Sequence, residues 1–279
     1  MRGNMRKTKR IAAFALTVVL GMSALTGCGK KANDDTKTIK VGATIKPHAE
    51  ILNCDAFQEK IKELGYEVEV VEYTDYVQPN EATKDGSLDA NFFQHQPFLD
   101  DYNKNNNGDL VSVAKVHYEP YGLYAGKRSG LDDLDGATIA VPNDSSNEAR
   151  ALQMLEAGGI IKLKEGKGIE VTVNEIEENP HKIKFTEIES AQTPLVLNDV
   201  DFAVINGNYA MQAGLNVEKD ALIIEDANSV GADTYANIVV VKEENKDSDK
   251  TKALVEAITS DGVKKFIEEK YDGAVVPCF

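Results

Sequence analysis

The chain of 279 residues has no tryptophan, three cysteines and four histidines, and its 31 basic residues fall well short of its 46 acidic ones. That deficit, a formal charge of −15, excludes the positive footprint of a nucleic-acid binder and argues against electrostatic docking on anionic lipid. Cys54 and Cys278 lie too far apart in sequence to form a metal knuckle, and whether they pair in an oxidising compartment stays open. His48, His95, His117 and His181 form no H-x-H or H-E-x-x-H pattern, so no metal is expected. G-x-S-x-G, P-loop and dinucleotide fingerprints are missing as well, which predicts no cofactor and no enzymatic activity.

Basic residues are concentrated in one place. MRGNMRKTKR carries five of them and precedes the apolar run IAAFALTVVLGMSALTG, the layout of a secretory signal. The run is short and glycine-interrupted for a membrane span. It ends in Leu25-Thr26-Gly27-Cys28, which resembles the lipobox of bacterial lipoproteins. Small residues fit a peptidase cleft, and the thiol is the group that receives diacylglycerol, with palmitate as a further acyl chain on the same cysteine. The alternative is an uncleaved anchor with an incidental cysteine. On the lipobox reading residues 1–27 are removed, Cys28 carries the lipid, and 26 basic residues face 46 acidic ones, a charge of −20. Residues 28–37, polar and small, read as a flexible tether to the extracytoplasmic face of the cell membrane.

Folding is expected from residue 38. IKVGATI reads as a buried strand, Leu52, Phe57, Ile61 and Leu64 recur at helical spacing before Gly65, and YEVEVVEY alternates apolar residues with glutamate. This βαβ opening predicts a mostly parallel sheet flanked by helices. Further on, a helix before Gly86, strand SLDANFF, a helix from Pro97, and a long strand broken by Pro120 follow. A second unit opens with strand ATIAVP and helix SSNEARALQMLEA, where Ser145 and Glu148 have capping-box spacing. IEVTVNEI, HKIKFTEI, DVDFAVIN and the β-branched run NIVVV read as strands, and two amphipathic helices close the chain near 249–259 and 261–271. An α/β chain of this length favours two lobes: residues 38–119 plus 234–279 in the first and 120–233 in the second, with a cleft where the chain crosses over.

In open α/β sheets ligands collect at the carboxyl ends of strands. Those ends carry Phe93, Gln94 and His95; Asn143, Asn147 and Arg150; Asn206 and Asn208; and Asn237. Period-two alternation sends Phe92 to the core and frees Phe93 for the cleft. Arg150, near a helix start, suits a carboxylate, although an arginine paired with Glu148 or Glu156 on a solvated helix face fits the pattern equally. The asparagines serve either as turn formers or as acceptors for an ammonium.

FFQHQPFLDDY, with TDYVQPNEA, HYEPYGLYAG, VPNDSSNEAR, FAVINGNYA and YANIVVV in that order, resembles the MetQ/NlpA family of methionine-binding lipoproteins, the substrate-binding components of an ABC importer. The resemblance implies a two-lobed, type II periplasmic-binding-protein-like fold that closes on L-methionine and docks on a permease with its ATPase. It places Tyr76, Phe93, His95 and Phe98 around the thioether, Arg150 on the carboxylate with Asn147 nearby, and Asn206 and Asn237 on the α-amino and carboxylate groups. Phe98 stands where many relatives have tyrosine, and Cys54 and Cys278 stand where the family has no cysteine. Another amino acid, D-methionine or a methionyl dipeptide stays open as the ligand, as do a metal receptor centred on His95 and a surface lipoprotein without a transport role.

Overall fold

The computed structural model describes residues 37–226 and 233–279. The signal segment, the lipidation site Cys28, and the tether up to residue 36 lie outside the described residues. So does part of the second crossover, at 227–232.

Two sheets divide the chain. The first has the order β13-β4-β12-β3-β1-β2, with β1 Thr38–Thr44, β2 Glu67–Tyr73, β3 Ala90–His95, β4 Leu110–Tyr118, β12 Asn237–Lys242 and β13 Val276–Pro277. The second has the order β11-β5-β10-β6-β9, with β5 Gly122–Ala125, β6 Thr138–Pro142, β9 Lys184–Ile188, β10 Phe202–Ile205 and β11 Ala221–Ile224. A two-stranded hairpin, β7 Lys162–Leu163 with β8 Ile176–Glu178, stands apart. This is the two-lobed α/β periplasmic-binding-protein fold. The chain leaves the first sheet after Tyr118 and enters the second at Gly122; Pro120, which cannot continue a ladder, marks the break.

The expectation of a mostly parallel sheet needs correcting, because each sheet is mixed. β1 pairs in parallel with β2 and β3, and β6 with β9 and β10. The strands at the crossovers run antiparallel: β12 to β3 and β4, and β5 to β10 and β11. A strand arriving from the other lobe enters its sheet from the cleft end, which reverses its direction relative to the βαβ strands.

Each sheet buries one core against helices. In the first lobe Val41, Phe92, Val239 and Val241 pack with Phe57 and Ile61 of α2 (Asp55–Glu63), and with Leu254, Ile258 and Ile267 of the two terminal helices, Asp249–Ile258 and Asp261–Tyr271. In the second, Leu123, Ile139, Val141 and Phe202 meet Leu152 and Leu155 of α5 (Ser145–Ala157). Edge strand β2 turns Glu67, Glu69 and Glu72 outward, a charged rim that opposes edge-to-edge pairing.

Three local expectations fail for physical reasons. The first helix is interrupted: α1 is only Glu50–Leu52, and Cys54, expected within the helix, sits in an extended conformation at the N-cap of α2. The helix at 145 is capped by Asp144, whose carboxylate accepts from the backbone N–H of Asn147 at 3.0 Å, and not by a box starting at Ser145. Residues 169–176 form two 3-10 turns before β8, since the second is closed by a capping box of Thr172 and Glu175. Cys54 is buried and Cys278 exposed, both as free thiols. Among the described residues no helix is long and apolar enough to cross a membrane.

Candidate ligand-binding site

A small cavity lies between the two sheets and is lined from both. The first lobe contributes Tyr76, Phe93, Gln94, His95, Phe98, Glu119 and Asn237; the second contributes Tyr121, Asn147, Arg150, Asn206, Gly207 and Asn208. Thus the structure brings together all eight residues singled out for ligand contact from the sequence: Tyr76, Phe93, His95, Phe98, Asn147, Arg150, Asn206 and Asn237. Asn143 is exposed and does not line the cavity.

One end is aromatic. Strand β3 places Phe92 in the core, where its ring meets His48 and His117, and turns Phe93 into the cavity. Tyr76, just before α3 (Gln78–Lys84), lies 5.8 Å from both Phe93 and Phe98, and Phe93 lies 6.0 Å from Phe98, mostly edge-on. His95 closes this wall as the N-cap of α4 (Gln96–Asn106): Nδ1 accepts from the Phe98 N–H at 3.3 Å, and Nε2–H donates to Asn147 Oδ1 at 3.1 Å. With both nitrogens engaged, His95 is unavailable as a metal ligand. Burial, then Arg150, pushes its pKa down to about 3, so it is neutral.

The other end is a polar network. Arg150 is 3 % exposed and grips Glu225 with two nitrogens, Nε at 3.0 Å from Oε1 and Nη2 at 2.6 Å from Oε2, while Nη2 also donates to the Glu119 carbonyl at 2.8 Å. The expected partners are otherwise occupied: Glu148 accepts from the Val173 N–H and Glu156 from the Leu163 N–H. Burial works against the guanidinium charge, but Glu225 outweighs it and raises the Arg150 pKa; Arg150 in turn holds Glu225 below the usual carboxylate range despite burial. Tyr121 and Tyr235 stack on the guanidinium at 3.9 and 4.6 Å. Nη1 makes no hydrogen bond to a described residue.

Asn147 organises this end and has little left to offer a ligand. Its Oδ1 accepts from His95, Tyr121 and Asn206, and its Nδ2 donates to both oxygens of Asp144. Asn206 spends its Nδ2 on Asn147, which leaves its buried Oδ1 unpartnered. Asn208 accepts from Tyr76 Oη at 2.6 Å through Oδ1 and keeps a buried, unpartnered Nδ2. Asn237 accepts from His48 Nε2 at 2.9 Å. A buried amide with one unsatisfied atom is costly, and two of them, Asn206 and Asn208, face one cavity with capacity to spare.

Sequence reasoning missed Glu119, Tyr121, Gly207 and Glu225. Glu119 and Tyr121 stand in the quoted run HYEPYG, at the crossover itself, where a charged residue next to a strand-ending proline is a usable signal. Glu225 follows β11, an apolar run of four residues not recognised as a strand. His48, His117 and Glu119 come within metal-ligating distance of one another. Their atoms are knit together instead: His117 Nε2–H donates to Glu119 Oε1 at 2.7 Å and His48 Nε2–H is spent on Asn237. His117 Nδ1 also lacks the outer partner that metal-bound imidazoles have.

A sequence model of the NlpA lipoprotein family matches residues 39–279. The chain belongs to the NlpA lipoprotein family. It is 39% identical to the methionine-binding lipoprotein MetQ of Bacillus subtilis over 267 residues, which cover 94% of this chain and 96% of the relative. It is 40% identical to the D-methionine-binding lipoprotein MetQ of Salmonella typhimurium over 266 residues, again 94% and 96%. Among solved structures, a nutrient-binding protein from Burkholderia cenocepacia bound to methionine superposes with a TM-score of 0.81 at 46% identity, covering 86% of this chain and all of that one. As an NlpA family member the chain carries the fold of substrate-binding transport proteins.

Proposed function

We propose that this protein is a lipid-anchored, extracytoplasmic receptor that captures methionine between its lobes and presents it to the permease of an ABC importer. The observation that carries the reading is one cavity with a ring-lined end and, opposite it, an end holding a buried arginine with a spare donor. A thioether is soft and polarisable, and each contact with a ring contributes about 0.3–1.5 kcal/mol, so several converging rings are needed to prefer it over an aliphatic chain. Tyr76, Phe93 and Phe98 supply three. Arg150 Nη1, with the Nδ2 groups of Asn208 and Asn237, meets the ligand's carboxylate. Asn206 Oδ1 accepts from its ammonium.

Direct bonds across the cleft accompany the ligand. Tyr76 reaches Asn208, Tyr209 donates to the Thr74 carbonyl at 3.2 Å, and His95 reaches Asn147. A ligand that touches both lobes adds to these and shifts the population toward the closed form, the state a permease distinguishes from the open one. The protein acts by binding, without turnover. In this reading residues 1–27 are a signal peptide, Cys28 carries the acyl chains and 28–37 are the tether. The lobes divide at 38–119 plus 234–279 against 120–233.

The test is calorimetry on the domain from Thr38 onward, stripped of ligand by unfolding and refolding, with L-methionine, D-methionine, leucine and glycyl-methionine. Saturable one-to-one heat with L-methionine is expected. Binding of another panel member alone moves the ligand and keeps the fold; silence across the panel in a folded sample refutes the receptor reading.

A further inference from the structure

We propose that Glu119 is the counter-charge for the α-ammonium of the ligand, so that the site demands a free amino group as well as a carboxylate. The proposal rests on the amino-acid-receptor reading above and adds the recognition of one ligand group.

A census of acceptors in the cavity leads there. An ammonium has three N–H donors to place. The amide oxygen of Asn147 is taken by three donors, that of Asn208 by Tyr76, that of Asn237 by His48 and that of Gln94 by Asn80. The amide oxygen in the lining without any donor is Asn206 Oδ1, and the carboxylate in the lining is that of Glu119.

Glu119 is also a buried carboxylate whose direct hydrogen-bond partners are neutral, with Arg150 acting on it only through space. It is 4 % exposed. Its neighbours on the first lobe are two imidazoles, His117 Nε2 at 2.7 Å and His48 Nε2 at 3.5 Å. Burial pushes their pKa values down to about 3 and about 4 respectively, so at neutral pH they offer N–H dipoles and no net charge. From the second lobe the backbone N–H of Asn208 adds one more neutral donor. The one guanidinium in the cavity is neutralised in bidentate fashion by Glu225 and gives Glu119 only a bond to its backbone carbonyl. A buried carboxylate served by neutral donors is still expensive, and an incoming ammonium offsets that cost.

The backbone is shaped to admit this carboxylate. A Cβ on Gly207 would stand 2.7 Å from Glu119 Cβ and 2.9 Å from Oε2, closer than nonbonded carbon and oxygen tolerate. Glycine at 207 therefore lets Glu119 lie beside Asn206 at the start of the short helix Gly207–Gln212. Glu119 and Asn206 then line the same cavity as Arg150.

A thermodynamic cycle tests the proposal: wild type and Glu119→Gln, each titrated with L-methionine and with 4-(methylthio)butanoate, which is methionine without its amino group. Expected is a loss of about ten- to hundredfold in affinity for methionine in the variant, with the amino-free acid bound equally well or better. Equal weakening of both ligands, or no change with methionine, overturns the assignment. Should the variant lack wild-type circular dichroism, a crystal structure of wild type with L-methionine decides: a ligand nitrogen within about 3 Å of a Glu119 oxygen supports it, and a nitrogen served by Asn206 alone overturns it. Wild type that binds no amino acid refutes the receptor reading itself, a different result from a cycle that closes without coupling.

Discussion

The two ends of the cavity are built on opposite principles. At the aromatic end Tyr76, Phe93 and Phe98 touch one another but share no hydrogen bond, and each ring comes from its own segment of the first lobe. At the polar end Arg150, Glu225, Asn147 and Asp144 are so interlinked that removing one leaves buried partners unsatisfied. The difference predicts how each end fails. Ring contacts are additive and individually small, so the aromatic end should degrade by steps. A buried charge network should collapse as a unit, because the desolvation cost of a stranded partner exceeds what its bond contributed.

The sharpest way to break this contrast is Arg150→Ala. It strands Glu225 in the interior and removes the carboxylate's donor, so methionine binding should vanish from calorimetry and the unfolding free energy should fall by about 3–5 kcal/mol. Arg150→Met combined with Glu225→Leu should recover most of that stability, read by denaturant melts, without recovering binding. Wild-type stability in the double variant paired with intact affinity would mean that the arginine does not hold the ligand.

Next in size is acid sensitivity of the ligand-free protein. The folded pKa of His48, pushed down by burial to about 4, lies below the unfolded value near 6.5. The unfolded chain therefore takes up the proton first, and this histidine's stabilising contribution, complete above about pH 6.5, is lost as pH falls toward about 4. His95 and His117, pushed down to about 3, act in the same sense. Glu119 and Asp144, raised by burial, work the other way and soften the fall. The melting temperature should drop by more than about 5 °C between pH 7 and pH 5; a flat profile in a thermal scan series contradicts the neutral, buried state of the three imidazoles.

The smallest effect belongs to the rings. Phe93→Leu should weaken methionine by no more than about tenfold and narrow its margin over leucine, while leaving the melting temperature of the ligand-free protein within a few degrees. Competitive titration of the two amino acids measures both. A loss as complete as that of Arg150→Ala would erase the distinction between the ends.

Much of this was legible from local pattern. The alternation in YEVEVVEY, the helical spacing after Asp144 and the paired helices at the C-terminus all correspond to elements, because each depends on neighbours within a few residues. Asp144 as the cap, in place of a Ser145 box, was a local matter too, decided by which oxygen reaches the N–H of Asn147. The broken first helix and the turns at 169–176 were not legible, since there long-range packing and a capping box override an apolar rhythm. Among the cavity residues, Phe93, His95, Asn147, Arg150, Asn206 and Asn237 sit at or after recognisable strands, whereas Tyr76 and Phe98 were named only by the family resemblance. Glu119 and Gly207 of the lining, and Glu225 behind Arg150, escaped because their roles consist of contacts with distant partners.

By itself the sequence determined the alternation of strands and helices, the acidic surface, the split at Pro120 and the residue types that converge on a cleft, all of which are functions of spacing and composition. Only the tertiary structure decided which charge meets which. Glu225 lies 75 residues from Arg150, and His48 lies 189 from Asn237. In water such groups would be solvated separately and sequence separation would say nothing about them. Burial in one water-poor cavity makes each unmet hydrogen bond costly, and that cost selects a single set of partners and leaves Glu119, Asn206 and one arm of Arg150 facing the cavity.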